Sequence, residues 1–175
     1  MPVRTVLQHA DITRALTRIS HEILESNRGS DDLVILGIPT RGVTLASRIS
    51  AIIQSVDPAV IQAGALDVTM YRDDLAQNPT RATAPTDIPK GGIDGKTVVL
   101  VDDVLYSGRT IRAALDALGD LGRPRAVRLA VLVDRGHREF PIRADFVGKN
   151  LPSSADERIN VRLEEIDGVD EVTIG

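Results

Sequence analysis

The chain has 175 residues, 42% of them hydrophobic and 2% aromatic, with three His, no Cys and a formal net charge of −4. That length suits one domain with a sizeable core, taken as residues 1–175. The lack of Cys excludes disulfides and thiolate metal centres. No apolar run approaches the about 18 residues of a membrane-spanning helix, and Met1–Asp11 lacks the basic-then-apolar pattern of a signal peptide. A reduced, cytoplasmic protein with no membrane partner is the expectation. The net charge argues against indiscriminate nucleic-acid binding, and sparse aromatics argue against stacking platforms. The charge is uneven, however. Residues 156–175 carry seven acids and two bases, a net −5 that leaves +1 on the rest. A basic face on the main body therefore stays open, and the acidic end reads as solvated.

Asp11 is a candidate cap for a helix running to Asn27, stopped by Arg28-Gly29. Ile12, Ala15, Leu16, Ile19, Ile23 and Leu24 form its apolar stripe. Arg14, Thr17, Arg18 and His21 recur on another face, which reads either as ordinary solvated surface or as a small basic patch for phosphates. Leu33–Ile38 is a short apolar strand. Pro39-Thr40-Arg41-Gly42 follows, then a helical pattern through Val43, Leu45, Ala46, Ile49, Ile52 and Ile53. The Pro39–Gly42 loop is either a plain turn or a ligand loop to which Arg41 brings a fixed charge. Ala63–Tyr71 reads as a further strand. Arg72–Lys96 holds three prolines, a Gly-Gly pair and few large apolar residues; such a segment is either a lid or a disordered insertion.

Thr97–Val101 is β-favouring and apolar, as a strand buried on both faces requires. Two acids follow, Asp102 and Asp103, then Ser107, Gly108 and Thr110, then a helical run from Ile111. Free N–H groups at a helix start can hold a phosphate, and carboxylates just ahead of them can accept hydrogen bonds from sugar hydroxyls. Ala126–Val133 is the next strand, with the polar loop Asp134–Glu139 at its carboxyl end. Arg158–Leu163 and Val172–Ile174 are short closing strands. The alternation of strands and helices predicts an α/β fold with a mostly parallel central sheet flanked by helices. Ligands of such sheets bind at the carboxyl ends of the strands. The stretch is neither a nucleoside-triphosphate P-loop nor a Gly-x-Gly-x-x-Gly fingerprint. No Gly-x-Ser-x-Gly elbow is present, and His9, His21 and His137 are too scattered for a zinc site. A sugar-phosphate grip with paired acids remains.

Val99–Thr110 (VLVDDVLYSGRT) resembles the phosphoribosyl-pyrophosphate (PRPP) motif of the type I phosphoribosyltransferases. Arg14–Glu22 (RALTRISHE), Gly37–Gly42 (GIPTRG), Met70–Leu75 (MYRDDL), Ala130–Glu139 (AVLVDRGHRE) and Pro141–Pro152 (PIRADFVGKNLP) narrow it. They resemble the family of bifunctional pyrimidine operon regulators with uracil phosphoribosyltransferase activity. The likeness covers nearly the whole chain, weakening at 78–96 and after Asp156.

The resemblance implies the type I fold with a flexible hood over about residues 71–96, and the conversion of uracil and PRPP to uridine monophosphate (UMP) and pyrophosphate. Mg2+ would arrive with PRPP rather than on a protein site of its own. Asp102 and Asp103 would hold the ribose hydroxyls and help order that metal. Val104, Leu105, Tyr106, Ser107, Gly108, Arg109 and Thr110 would wrap the 5′-phosphate. Thr40, Arg41 and Gly42 would bind pyrophosphate through a loop with a non-proline cis peptide, with Arg72 near. Val133, Asp134 and Arg135 would line the uracil pocket. Purine-type relatives often carry an acid in the phosphate loop as a base; the matching position here is Tyr106, and a phenol is a poor base at neutral pH, which favours a pyrimidine. The resemblance also implies RNA binding by Thr17, Arg18, His21, His137, Arg138, Arg143 and Lys149, with leader messenger RNA of the pyrimidine operon as partner, UMP or UTP as the signal, and a homodimer or larger assembly. The competing readings are a phosphoribosyltransferase for orotate or a purine without RNA binding, and a regulator that keeps the pocket only as a sensor.

Overall fold

A computed structural model of the chain describes residues 2–57, 63–73 and 85–175. At its centre is a five-stranded, all-parallel sheet in the order β3-β2-β4-β5-β6. The strands are β2 (Leu33–Gly37), β3 (Ala63–Ala65), β4 (Thr97–Leu105), β5 (Ala126–Asp134) and β6 (Phe146–Asn150). β4 is the middle strand, and its apolar run is explained by burial on both faces. Val99 and Val101 enter one core with α1 (His9–Asn27) and α2 (Arg41–Val56). Val98 and Leu100 enter a second core with α3 (Arg109–Leu121). The period of two along the strand thus feeds two helical layers.

A separate antiparallel sheet joins the two ends of the chain. β1 (Arg4–Gln8) pairs with β8 (Glu171–Ile174), which pairs with β7 (Ile159–Arg162). Leu7, Val161, Val172 and Ile174 pack this sheet onto the α1/α2 core. A short helix, α4 (Glu164–Asp167), links β7 to β8.

Several expectations need revision. α1 starts two residues before Asp11, and Asp11 caps it from the first turn: its carboxylate accepts the Gln8 N–H at 2.9 Å. The expected stop is correct; Arg28 adopts φ 55°, and Gly29 N–H returns to Leu24 O at 2.9 Å. β4 runs four residues past Val101, so both acids lie on the strand. Only Ala63–Ala65 of the expected Ala63–Tyr71 strand pairs; Thr69–Tyr71 is a 3-10 turn. β1 and β6 carried too few apolar residues to be recognised. The acidic end is ordered against α2 rather than merely solvated. Residues 74–84 of the expected hood lie outside the described residues.

Candidate active site

Three loops meet at the carboxyl ends of β2, β4 and β5. The first follows β2. Its Pro39–Thr40 peptide is cis, as the resemblance implied. Ile38 N–H donates to Val101 O at 2.9 Å, so this loop is bonded to β4. Such closeness requires glycine. A Cβ on Gly42 would stand 2.4 Å from Val101 O, and one on Gly37 would stand 2.4 Å from Gly42 O. Arg41 opens α2. Its Nε and Nη2 donate to the Asp167 carboxylate at 3.2 and 2.7 Å.

The second loop continues β4. Asp102 is 9% exposed, and its Oδ1 accepts the Asp103 N–H at 2.9 Å. Asp103 Oδ1 accepts the Val104 N–H at 2.8 Å. Burial, with the Asp103 charge added, pushes the Asp102 carboxyl well above the usual range. Gly108 takes φ 93° and ends the turn at the start of α3. A Cβ there would also meet Ile142 at 3.1 Å, so both backbone and space favour glycine. The Ser107 hydroxyl accepts the Arg109 N–H at 3.2 Å. The first helical bond runs from Arg112 N–H to Gly108 O, which leaves the preceding N–H groups outside the helical ladder.

The third loop follows β5 and packs on the second. Arg135 N–H donates to Leu105 O, and the Glu139 and Phe140 N–H groups donate to Ser107 O at 2.8 and 3.1 Å. The Arg135 guanidinium lies 4.3 Å from the Tyr106 ring centroid, and His137 meets Tyr106 edge-on at 5.9 Å. Arg138 donates to Asp134, Tyr106 O and Ile142 O. Burial would raise the Asp134 carboxyl, but Arg138 and the Gly136 N–H outweigh it and hold it below the usual range. Val133 is fully buried in the core, and its backbone pairs with Val104 of β4 and Lys149 of β6.

A polar cavity of about 200 Å³ is lined by Arg72, Asp73, Ser107, Arg109 and Thr110, which brings the hood residue Arg72 beside the phosphate loop. Arg109 is held by ion pairs to Asp73 and Glu139. The RNA candidates divide into two groups. Arg18 donates to Val147 O and Gly148 O of β6 at 2.8 and 2.7 Å, so Arg18 of α1 and Lys149 of β6 share the edge of the sheet. Thr17, beside Arg18 on α1, turns its hydroxyl back to Thr13 O, and His21 is exposed one turn further on. His137 and Arg138 belong instead to the loop after β5, where His137 meets Ser153 O at 2.5 Å. Arg143 stands further along, in a groove with Arg128 and Asp145. Asp167 is not singled out by the sequence, and Asp73 and Glu139 stand there only within the Met70–Leu75 and Asp134–Glu139 segments. Their arginine partners are 126, 36 and 30 residues distant, and no local pattern marks such pairs.

The model of the phosphoribosyl transferase domain matches residues 2–164. A bifunctional protein PyrR from Leifsonia xyli is 75% identical, covering 99% of this chain and 97% of its own length. This chain belongs to the phosphoribosyltransferase family, among the bifunctional PyrR proteins. A PyrR from Mycobacterium tuberculosis is 56% identical over 98% of this chain and 92% of its own. Hypoxanthine phosphoribosyltransferase from Trypanosoma cruzi superposes with a TM-score of 0.75 at 15% identity, covering 97% of this chain and 93% of that one. At that identity the likeness speaks for the fold alone. The chain accordingly has the type I phosphoribosyltransferase fold and is a phosphoribosyltransferase. Among the described residues no helix is long and apolar enough to cross a membrane.

Proposed function

We propose that this chain transfers the phosphoribosyl group of PRPP to uracil, giving UMP and pyrophosphate, and regulates pyrimidine genes by binding their leader RNA in response to uridine nucleotides. The observation that carries the catalytic half is the end of β4: two adjacent carboxylates, with a left-handed glycine and a helix N-terminus following five residues after Asp103. The PyrR relatives carry the regulatory half.

In this reading the N–H groups opening α3, with the Ser107 and Thr110 hydroxyls, hold the 5′-phosphate at the positive end of the helix dipole. Val104, Leu105 and Tyr106 form the near wall of that loop. Asp102 and Asp103 accept the ribose hydroxyls and stand ready for Mg2+ that enters with PRPP. The fit is good, because a buried carboxyl raised by desolvation and by its neighbour's charge gains most from a nearby cation. Mg2+, when bound with PRPP, supplies charge neutralisation for departing pyrophosphate. Arg41 and the Thr40–Gly42 backbone, with Arg72 opposite, stabilise the same charge as the C1–N bond forms and the C1–O bond breaks. Closure of the hood keeps water from the activated sugar. Uracil lies against the Val133 backbone, Asp134 and Arg135. Tyr106 stands where an acid would serve a purine, which supports a pyrimidine over hypoxanthine or guanine.

The RNA face comprises Thr17, Arg18, His21 and Lys149 around the β6 edge, continued by His137, Arg138 and Arg143. Phosphates set the register there, and unstacked loop bases carry specificity. A homodimer or larger assembly would extend that face. Supplying uracil, orotate and hypoxanthine in turn with PRPP and Mg2+, and following pyrophosphate release, tests the assignment. Uracil alone should support turnover; release with another base and none with uracil would overturn it.

A further inference from the structure

At the opposite end of the strands from the proposed active site lies a cavity of about 340 Å³. Its walls include Leu33, Thr97 and Ala126, the first residues of β2, β4 and β5. At ~3.3 Å per residue, the five steps from Thr97 to Asp102 set it roughly 17 Å from the first carboxylate. The floor is apolar, made by Ile23, Leu33, Val99 and Phe146. The rim is basic: Arg28, Arg125 and Arg128 all line it, and none of the three has a carboxylate partner among the described residues. The Arg125 guanidinium donates to the Thr97 hydroxyl at 3.0 Å. Asn27, also on the wall, spends its amide hydrogens on Gly29 O and Asp31 O, and its Oδ1 accepts no hydrogen bond among the described residues.

We infer that this cavity is a second nucleotide site, taking one phosphate on the arginine rim and one base on the apolar floor. Three arginines on one rim, none with a carboxylate partner among the described residues, call for an anion with several acceptor oxygens. The volume exceeds what a bare phosphate fills and matches the lower end of small-ligand pockets, about 300 Å³. An apolar floor with an amide oxygen and the Ser26 hydroxyl beside it suits a flat ring carrying N–H and C=O edges. Continuity with the proposed RNA face gives a second reason. Arg128 lines both this cavity and the groove that holds Arg143. On α1, Ile23 follows Arg18 by five residues, about 7.5 Å along the axis. The nucleotide has two sources, a free mononucleotide or a residue unstacked from bound RNA; the latter rests on the RNA-binding reading above.

The test uses the full chain, UMP and a leader hairpin as probes, and the variant Arg28→Asn with Arg128→Gln. Asn tolerates the left-handed backbone at position 28. Arg128→Gln alone, at an exposed strand position, serves if the double variant does not fold. Calorimetry should find two UMP per chain in the wild type and one in the variant if the source is a free nucleotide. The variant should bind the hairpin about tenfold more weakly, with a salt slope lower by about two, if the source is RNA. Uracil turnover should stay near wild type in both cases. One UMP per chain in the wild type, together with unchanged hairpin affinity in the variant, overturns the inference. If the wild type binds no hairpin, the RNA reading itself fails and the UMP stoichiometry alone decides.

Discussion

Arg41 and Asp167, 126 residues apart, form a side-on ion pair in which Nε and Nη2 of the guanidinium meet the two carboxylate oxygens. Asp167 Oδ2 also accepts the Leu163 N–H at 2.8 Å, so the acid is fixed by its own turn. The Arg41 bond, followed by that N–H, holds the Asp167 carboxyl below its usual range. The pair holds the Arg41 fork through Nε and Nη2. Loss of this pre-organisation should appear as weaker binding of the anionic substrate. Asp167→Asn is expected to raise KM for PRPP about fivefold, with kcat changed less than about twofold. A lower KM would mean that Asp167 competes with pyrophosphate for Arg41.

Asp102 contributes to binding at a cost in stability. Its carboxyl is raised above the usual range by burial, then by the Asp103 charge. A group raised in the folded state contributes stability below its ordinary value, and this is lost as pH rises through the folded-state value. At pH 7 the ligand-free protein therefore bears a cost, whether Asp102 keeps its buried charge or takes up a proton. Asp102→Asn should raise Tm by about 2–4 °C at pH 7, and the gain should shrink toward about pH 4. A lower Tm at pH 7 would contradict this account of the pair.

The acidic end holds the opposite case. The Asp170 side chain is 2% exposed and takes two hydrogen bonds from Arg48, one from His9 and one from the Glu164 N–H. The Arg48 bonds, against burial and aided by the Glu164 N–H, lower its carboxyl from 3.8 to about 2. Its stabilising contribution is present above the ordinary value and is lost as pH falls through about 2. Asp170→Asn should cost about 3 kcal/mol at pH 7, seen in urea unfolding, with the gap to wild type narrowing in acid. Equal stability at pH 7 would mean that the Arg48 cluster does not anchor the chain end.

The sequence revealed different parts of the molecule to different degrees, for physical reasons. β4 was legible because a strand buried on both faces must be apolar throughout, and α1 because its stripe repeats at helical spacing. β6 was not, since an edge strand reading Phe-Val-Gly-Lys-Asn is half exposed. β1 pairs with β8, at the far end of the chain, and nothing near it in sequence signals that partner. Within the site, the acids and glycines stood in one local pattern and could be named. Asp167, Asp73 and Glu139 act through distant arginines, so only the folded chain brings them in. Gly42 was read as part of a ligand loop; its 2.4 Å approach to Val101 O gives it a structural duty as well.

Arg18 caps carbonyls at the β6 edge, and His21 is exposed one turn further along α1. Among the described residues, no hydrogen bond joins either of them to the three loops of the proposed active site. Arg18→Ala with His21→Ala is expected to weaken leader-hairpin binding about tenfold or more while uracil turnover stays near wild type. Parallel loss of both activities would assign the pair to folding.

The central claim is that the carboxylates ending β4 bind the ribose of PRPP for transfer to uracil. Formation of labelled UMP from labelled uracil and PRPP, compared between wild type and Asp102→Asn with Asp103→Asn, tests it most directly. The wild type should form UMP, and the folded double variant should form it at least about a hundredfold more slowly. UMP formation at a similar rate in both proteins would contradict the claim.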